Sequence, residues 1–484
     1  MTSLSSPSLR LNGLPTDILI LILHELLLVD LSALSLTSRF FHALVNEFGW
    51  AGYQRKNPRP SMSLLKSRAA WSAMDSVKYD VLADRSWSQN DFVARPLASP
   101  WSGKEQPILA ISPSRLIVGA GNVIYSYTFG LSTNGEAPPI VMEGSCALIT
   151  LHDRRSCITA LTFIPDGGLD QTLCVGFQDG SFERILISSR SKHQTNTTLH
   201  VHRQAAHPLR LPDKDFLESL SSSRTSLLSL SGSGQATFSD IETPTLTSTI
   251  VLGVRSWASR LCMESTSPYA AFGTSLRATP LTIHSITSDA LSQFPSAILG
   301  QAQPGRRGSA YQDGTMEQSL STISALPLGV APPTTGYRPL LRPVLTLDNS
   351  WSMEPIYSVS SGGGSGSYVA AGWARHSLVS MWDVRSPIGG LSVHAPLNDP
   401  SPVYSLILES SRLFGVTQSR PFVLDFGPGV LESTYPALEP STRGFPGVTA
   451  ENTIFRGSTQ KGVDDIGYYV TKFLHPSSRT KVRA

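Results

Sequence analysis

Short apolar runs that end in glycine recur along most of the chain, and they constrain the fold more than any other feature of the sequence. Each run is followed by a short turn and then by another run with the character of a β-strand. The six runs are Leu116–Gly119, Leu173–Gly176, Leu230–Gly232, Ala271–Gly273, Ala370–Gly372 and Leu413–Gly415. Repeats of about 40–50 residues with four short strands each are the signature of a β-propeller.

The spacing of these glycines predicts the number of blades. Successive glycines lie 57, 56, 41, 99 and 43 residues apart. The fourth interval is close to twice the length of a single repeat, so it predicts a further copy near residues 295–345. The six visible copies and this hidden copy together predict an all-β propeller of seven blades.

Length and composition limit the class of protein. A chain of 484 residues is too long for a single core, so two or more domains are expected. The formal net charge of +3 does not indicate binding to nucleic acid, and we expect no such partner. The apolar run at residues 18–23 is too short for a signal peptide or a membrane span. We therefore expect a cytoplasmic or nuclear protein without membrane attachment.

The sequence contains no convincing catalytic, metal or cofactor site. The four cysteines form no C-x-x-C pair, which favours free thiols in a reducing compartment. The segment 457–462 lacks the ending of a phosphate-binding loop, and His200, His202 and His207 lie in a polar stretch without further ligands. We expect a protein that is not an enzyme and that needs no cofactor or metal.

Residues 14–50 have the periodicity of helices instead of strands. Ile18, Leu19, Ile22 and Leu23 form one apolar stripe, and Asp30 is placed to begin a second helix. The first helix is apolar on its other side as well. A short helical segment cannot bury two apolar faces by itself, so the pattern predicts that a partner covers one of them.

This segment closely resembles an F-box. It opens on Leu14-Pro15, continues through Asp30-Leu31 and Ser38-Arg39, and closes with Trp50. The resemblance implies that the segment binds a Skp-type adaptor, which links F-box proteins to a cullin and a RING subunit. The residues that would contact the adaptor are Leu14, Pro15, Ile18, Leu19, Ile22, Leu23, Leu31 and Leu34.

The β-rich region resembles a degenerate WD-repeat propeller. The clearest unit begins with Leu151-His152-Asp153, and another ends in Trp382-Asp383, whereas other units keep only Asp240 or Asp425 at the corresponding place. F-box proteins with WD-repeat propellers are a known architecture. The resemblance implies a substrate-recognition subunit of an SCF ubiquitin ligase. The alternative is an F-box and propeller scaffold that takes no part in ubiquitin transfer.

The predicted multidomain organisation has a small all-α bundle before the propeller. The expected parts are a disordered N-terminus (1–10), the F-box (11–56), a helical linker and lead-in (57–106), the propeller (107–475) with inserted loops near 189–224 and 300–340, and a basic tail (476–484). The ring is expected to close through an entry strand near residues 92–97 or through the C-terminal run 468–471. Residues 85–484 are predicted to fold without the F-box.

Several basic residues fall at equivalent places of the repeats. In a WD-type blade, the loop before the first strand and the turn after the second strand open on the same face. The residues at these places are Arg154, Arg155, Arg255, Arg277, Arg375, His376 and Arg420. Arginine suits the capture of carboxylate or phosphate groups. This pattern, like the family resemblance, predicts an acidic or phosphorylated protein substrate.

Overall fold

The computed structural model contains a helical N-terminal region followed by a ring of β-sheets. It describes residues 11–89, 91–101, 103, 105–133, 135–148, 157–188, 199–204, 215–241, 247–264, 267–276, 279–288, 339–347, 354–364, 366–385, 390–394, 401–438, 455–456 and 471–475. The predictions for residues 1–10 and 476–484, and for nearly all of 300–340, lie outside the described residues.

In the described residues, six α-helices precede the first strand. They are α1 Thr16–Glu25, α2 Leu28–Ser35, α3 Arg39–Leu44, α4 Trp50–Lys56, α5 Leu65–Ala70 and α6 Ala73–Gln89. A π-helical turn at Val45–Gly49 joins α3 to α4. Helix α3 begins at Ser38, whose hydroxyl accepts a hydrogen bond from the Phe41 N–H at 3.3 Å and so satisfies a donor at the helix start.

The strands of the described residues form six sheets with antiparallel pairing. In chain order they are β1 Val93–Pro96, β2 Ile108–Ile111, β3 Arg115–Ala120, β4 Val123–Phe129, β5 Ile140–Ala147, β6 Ile158–Phe163, β7 Thr172–Phe177, β8 Phe182–Ile187, β9 Val201–Gln204, β10 Leu217–Ser223, β11 Ser226–Ser231, β12 Gln235–Asp240, β13 Thr247–Val251, β14 Ser256–Cys262, β15 Tyr269–Thr274, β16 Leu281–Ser288, β17 Pro339–Leu347, β18 Ile356–Gly362, β19 Tyr368–Trp373, β20 Val379–Asp383, β21 Gly390–His394, β22 Val403–Leu408, β23 Arg412–Thr417, β24 Pro421–Asp425, β25 Phe455–Arg456 and β26 Thr471–His475.

These sheets are the blades of a six-bladed propeller. Blades 1 to 4 contain β2–β5, β6–β9, β10–β13 and β14–β17, blade 5 contains β18–β21 with β26, and blade 6 contains β22–β24 with β1 and β25. The innermost strands β2, β6, β10, β14, β18 and β22 contact one another in sequence, and β22 contacts β2. The ring of described strands is therefore closed with six blades.

The six glycine-ended runs all mark second strands, one in each blade, as β3, β7, β11, β15, β19 and β23. The seventh blade expected near residues 295–345 is not part of this ring. Strands β16 and β17 pair directly, with Thr282 opposite Thr346, so the chain between them is an insertion within blade 4. The long glycine interval reflects the size of this insertion instead of an additional repeat.

The region near 189–224, predicted to be an inserted loop, contains two strands of the propeller. Strand β9 is the outer strand of blade 2, and β10 is the innermost strand of blade 3. Three of the predicted WD-type features lie where a WD repeat has them, since Trp382-Asp383, Asp240 and Asp425 each fall at the end of the third strand of their blade. Leu151-His152-Asp153 lies outside the described residues.

The ring closes through the strand that enters the propeller. Strand β1 pairs with β24, with Val93 opposite Asp425, so an N-terminal segment supplies the fourth strand of the last blade. Of the two closures predicted from the sequence, the entry strand is the one observed. The C-terminal strand β26 instead adds a fifth strand to blade 5 by pairing with β21.

The residues between the helical bundle and the propeller pack closely on blade 6. The ring of Trp87 stacks on Phe426 with 3.6 Å between centroids, and its Nε1 donates to the carbonyl oxygen of Ser410 at 2.8 Å. The hydroxyls of Tyr79 and Ser411 are hydrogen-bonded at 2.9 Å. Because α6 also contributes Val77 to the core of the helical bundle, this single helix holds both parts of the protein.

Glu409, in the turn after the first strand of blade 6, fastens the segment before α5. Its buried carboxylate accepts hydrogen bonds from the Met62 N–H at 2.6 Å, from the Ser63 N–H at 3.1 Å and from the Ser61 hydroxyl at 3.2 Å, and it also accepts one from the Ser63 hydroxyl. Burial raises the pKa of Glu409, and these hydrogen bonds oppose the rise. The linker is therefore part of the folded structure.

This packing predicts that the propeller is most stable when it keeps its linker. A fragment of residues 85–484 lacks Leu64, Trp71 and Tyr79, which are buried in the full chain. We expect it to unfold at a lower temperature than a fragment of residues 57–484, because loss of buried aromatic and aliphatic packing costs several kcal/mol in total, at about 2–5 kcal/mol for each large side chain. Thermal unfolding followed by circular dichroism measures the difference. Equal midpoints for the two β-rich fragments would show that docking adds no stability.

Candidate functional site

Part of the predicted adaptor-binding set forms the interior of the helical bundle. Leu19, Leu23 and Leu31 are buried and pack with Val45 and Trp50 in one core. Their side chains are buried in this conformation and hold the bundle together, and the adaptor contact expected for them stays a prediction. Trp50, predicted to close the bundle, does so, and its Nε1 donates to the Oδ1 of Asn46 at 2.9 Å.

The other predicted residues lie nearer the surface. Pro15 and Ile18 are exposed, and Ile22 is half-buried. Leu14 and Leu34 are partly buried against the core of the bundle. The structure thus divides the predicted set into an inner layer and an outer layer.

Large apolar side chains that the predicted set omitted are exposed on the same helices. Leu21 in α1 is 61% exposed and Leu27, at the start of α2, is 71% exposed. Together with Ile18 they belong to an exposed apolar set, which also contains Val29, Leu36 and Phe40. Ile18 and Leu21 are three residues apart on α1 and therefore share one side of the helix. A group of this kind on a small domain marks an interaction surface.

The two faces of the propeller differ in what they carry. The lower face is the one with the turns between first and second strands, and Glu409 places the linker on it. The upper face carries the turns between second and third strands together with the chain that enters each first strand. Backbone hydrogen bonds join these two kinds of segment, as from Ser275 N–H to the carbonyl oxygen of Arg255 at 2.9 Å and from Ala374 N–H to that of Pro355 at 3.0 Å.

The described members of the predicted basic set lie on this upper face. Arg255 precedes β14, Arg375 and His376 lie between β19 and β20, and Arg420 lies between β23 and β24. The guanidinium of Arg255 lies 5.4 Å from the centre of the Trp257 ring, and Arg375 pairs with Glu354 at 3.6 Å. Arg154, Arg155 and Arg277 lie outside the described residues.

Carboxylates share the upper face with these arginines. Glu105 precedes the first strand of blade 1, Asp179 lies between β7 and β8, and Asp215 precedes β10. The described part of this face is therefore of mixed charge. The acidic residues lie mainly on blades 1 to 3, and the basic residues lie on blades 4 to 6.

A central channel runs between the six innermost strands and encloses a cavity of about 460 Å³. Pro60, Ser61 and Met62 of the docked linker line the part of this cavity that lies near the lower face. Hydroxyl groups join neighbouring innermost strands, since Ser221 Oγ accepts from the Leu261 N–H at 2.9 Å and Ser360 Oγ accepts from the Leu408 N–H at 2.8 Å.

The geometry defines a class of protein in which a small helical domain with an exposed apolar surface is fixed to a propeller. Residues 11–51 match the family model of the F-box-like domain, so the protein has an F-box-like domain followed by a six-bladed propeller. The match includes α1, α2 and α3 and ends just after Trp50. No curated protein matches the chain.

Three solved structures resemble the chain, at 12% sequence identity in each case. Raptor of Chaetomium thermophilum aligns over 64% of this chain and 22% of its own, with a TM-score of 0.33. The Cps50 (Swd1) β-propeller domain of Myceliophteria thermophila aligns over 65% of this chain and 81% of its own, with a TM-score of 0.36. A chain of the mitotic checkpoint complex aligns over 68% of this chain and 90% of its own, with a TM-score of 0.36.

The described residues contain no group of three or more histidine, cysteine, aspartate or glutamate side chains arranged to hold a metal ion. None of the helices in the described part of the chain is long and apolar enough to cross a membrane.

Because some residues of α1 are buried and others are exposed, replacing them by alanine should have different effects on the stability of the helical bundle. Leu23→Ala removes a buried side chain and should destabilise the helical bundle by about 2–5 kcal/mol, whereas Leu21→Ala should change its stability by no more than about 0.5 kcal/mol. Hydrogen exchange of the α1 and α4 amides in the full chain measures both effects. Similar exchange rates in the two variants would contradict this assignment of the helix faces.

Proposed function

We propose that the protein is the substrate-recognition subunit of an SCF ubiquitin ligase. In this role the F-box-like domain binds a Skp-type adaptor, which connects it to the cullin and RING subunits, and the propeller binds the protein to be ubiquitinated. The protein itself is not catalytic in this role, needs no cofactor, and acts in the cytoplasm or nucleus. The observation that carries the proposal is an F-box-like domain, with exposed apolar side chains, held rigidly on a propeller.

The exposed apolar set supports adaptor binding. Burying a leucine or phenylalanine side chain contributes about 1.5–3 kcal/mol, so six such residues offer enough free energy to offset the costs of association. The inner residues Leu19, Leu23 and Leu31 support the same surface indirectly, because they fix the positions of the helices that carry it.

The docked linker supports the second part of the proposed role, in which the propeller holds the protein to be ubiquitinated. Ubiquitin transfer to a bound protein requires a defined distance and direction between the adaptor and the substrate. Trp87 and Tyr79 on α6 and the hydrogen bonds to Glu409 fix the helical domain to the lower face of the propeller. The upper face, opposite this attachment, is the surface on which we place the substrate.

The predicted basic residues indicate one type of ligand for this face. Arg375, His376 and Arg420 lie in turns of adjacent blades 5 and 6, which supports capture of an acidic or phosphorylated segment on that side of the ring. The pairing of Arg375 with Glu354 and the carboxylates of blades 1 to 3 weigh against a uniformly basic surface.

We expect acidic replacements in the exposed apolar set to abolish adaptor binding. In a Leu21→Asp, Leu27→Asp variant, two carboxylates would have to enter an apolar interface without partners, which is strongly unfavourable. Co-precipitation of the adaptor should fall at least about tenfold, and the thermal midpoint should stay within a few degrees of that of the unmodified protein. Binding at full strength by this double variant would overturn the adaptor assignment.

A matched control is available on the propeller. Leu169, between β6 and β7, is 62% exposed, nearly the same as Leu21. Leu169→Asp introduces one such charge at a position as exposed as Leu21 and should leave adaptor binding unchanged, as Leu21→Asp alone should not. A loss of binding in this control would show that the effect depends on surface charge in general.

The ligase role and the scaffold role differ in what accompanies the adaptor. A substrate receptor should bring the cullin and RING subunits together with the adaptor when the tagged protein is isolated from cells, and clients should accumulate when the cullin is inactivated. Quantitative mass spectrometry of the isolated complexes measures both. Recovery of the adaptor without cullin would instead identify a scaffold that works outside ubiquitin transfer.

A further inference from the structure

Five of the six innermost strands carry a β-bulge at the same place near the upper face. At each bulge the pairing with the second strand skips one residue, between Ile158 and Ala160 in blade 2 and at the corresponding positions in blades 3 to 6. Bulges re-aim side chains, and they are common beside functional sites. The skipped residues are Thr159, Glu218, Trp257, Tyr357 and Tyr404, all of which line the central cavity and are partly exposed.

Two neighbouring members of this ring carry buried polar atoms that have no hydrogen-bond partner in the described part of the chain. The Oε2 of Glu218 and the Oγ1 of Thr159 are buried and form no hydrogen bond within the described part of the chain. An unpaired buried carboxylate oxygen reduces stability, so its presence at a channel mouth is typical of a binding site. An ionised carboxylate only accepts hydrogen bonds, and its missing partner is therefore a donor.

The other three members form a continuous aromatic row. The rings of Trp257 and Tyr357 are parallel within 1°, with centroids 5.3 Å apart, and Tyr404 meets Tyr357 edge-on at 5.7 Å. This row lies next to Glu218 around the ring, because β10 is adjacent to β14. An apolar wall beside an acceptor of hydrogen bonds suits a side chain with an aliphatic stem and a cationic head.

The charges that line the cavity differ between its two ends. Among the described residues that line it, Glu218 is the carboxylate beside the upper mouth. The carboxylates of Asp166, Asp170, Glu264 and Glu409 belong to the lower-face turns between first and second strands, as does the guanidinium group of Arg224. Burial raises the pKa of the Glu218 carboxyl, and the positive charge of Arg255, above the Trp257 ring, opposes the rise. The Oε2 of Glu218, a residue that lines the cavity, has no hydrogen-bond partner within the described residues.

We propose that the upper mouth of the channel binds a lysine or arginine side chain of a partner polypeptide. Glu218 and Thr159 accept hydrogen bonds from the cationic head, and Trp257, Tyr357 and Tyr404 pack along the stem. As a description of the client of a ligase the inference rests on the proposed function, but the binding itself involves only the propeller. An acidic or phosphorylated segment has no favourable partner at Glu218 and would have to bind at the arginines of blades 5 and 6.

The test is selection from a peptide array by the purified full-length protein without adaptor. The probes are synthetic nonapeptides in an alanine and serine background, with arginine, lysine, glutamine, glutamate or phosphoserine at the central position. We expect arginine or lysine peptides to be selected. Glu218→Gln should weaken their binding about tenfold or more, because a charged hydrogen bond is lost. The thermal midpoint of Glu218→Gln should not fall, since the substitution removes an unpaired buried charge.

Glu105→Gln is the matched control, because it neutralises another carboxylate of the upper face and should change binding by no more than about twofold. Trp257→Leu should reduce binding through the loss of the aromatic wall. Equal losses in Glu105→Gln and Glu218→Gln, or the absence of any preference for arginine or lysine, would overturn the proposal. Preference for glutamate or phosphoserine that is lost in Arg375→Ala would overturn it in favour of an anionic ligand. Because no adaptor is present, these outcomes are independent of the ligase assay.

Discussion

A buried carboxylate at the lower face of blade 6 fixes how the two parts of the protein are joined. Burying the charge of Glu409 without hydrogen-bond donors would be strongly unfavourable. Within the described residues, the donors to its carboxylate come from the segment just before α5. The carboxylate is therefore satisfied only when the linker is docked. The stacking of Trp87 and the burial of Tyr79 act in the same direction, so the helical domain has one orientation on the propeller.

The helical domain shows how far sequence patterns specify a surface. The order of motif residues from Leu14 to Trp50 was sufficient to predict the bundle and its likeness to an F-box, and the family match agrees with it. The assignment of residues to the inside or the outside of the bundle does not follow from the sequence alone. Helix α1 is apolar on both sides, so its periodicity cannot distinguish the face with Leu19 and Leu23 from the face with Ile18 and Leu21. Only the packing of the π-helical turn at Val45–Gly49 and of α4 against one side of α1 decides between them.

The propeller shows a different limit of prediction from sequence. Every glycine-ended run predicted a real second strand, because a buried strand beside a tight turn leaves a clear local pattern. The blade count was not predictable from the intervals, since an insertion between β16 and β17 lengthens a repeat as much as a further blade would. Strand β10 was mistaken for loop because it is rich in serine. Its hydroxyls Ser219, Ser221 and Ser223 accept hydrogen bonds from backbone N–H groups of β14 and of the residue just after it, a requirement of the neighbouring blade that single-strand patterns do not reveal.

The closure of the ring by β1 affects how the protein forms during synthesis. Its partner β24 lies in the last blade, so Val93 reaches Asp425 only after nearly all of the propeller has left the ribosome. Pairings so distant in sequence form late, because a long loop must close before they add stability. The helical domain has only local contacts and can fold much earlier. A chain that ends before β24 therefore carries the exposed apolar side chains of the folded helices on a ring that is not yet closed.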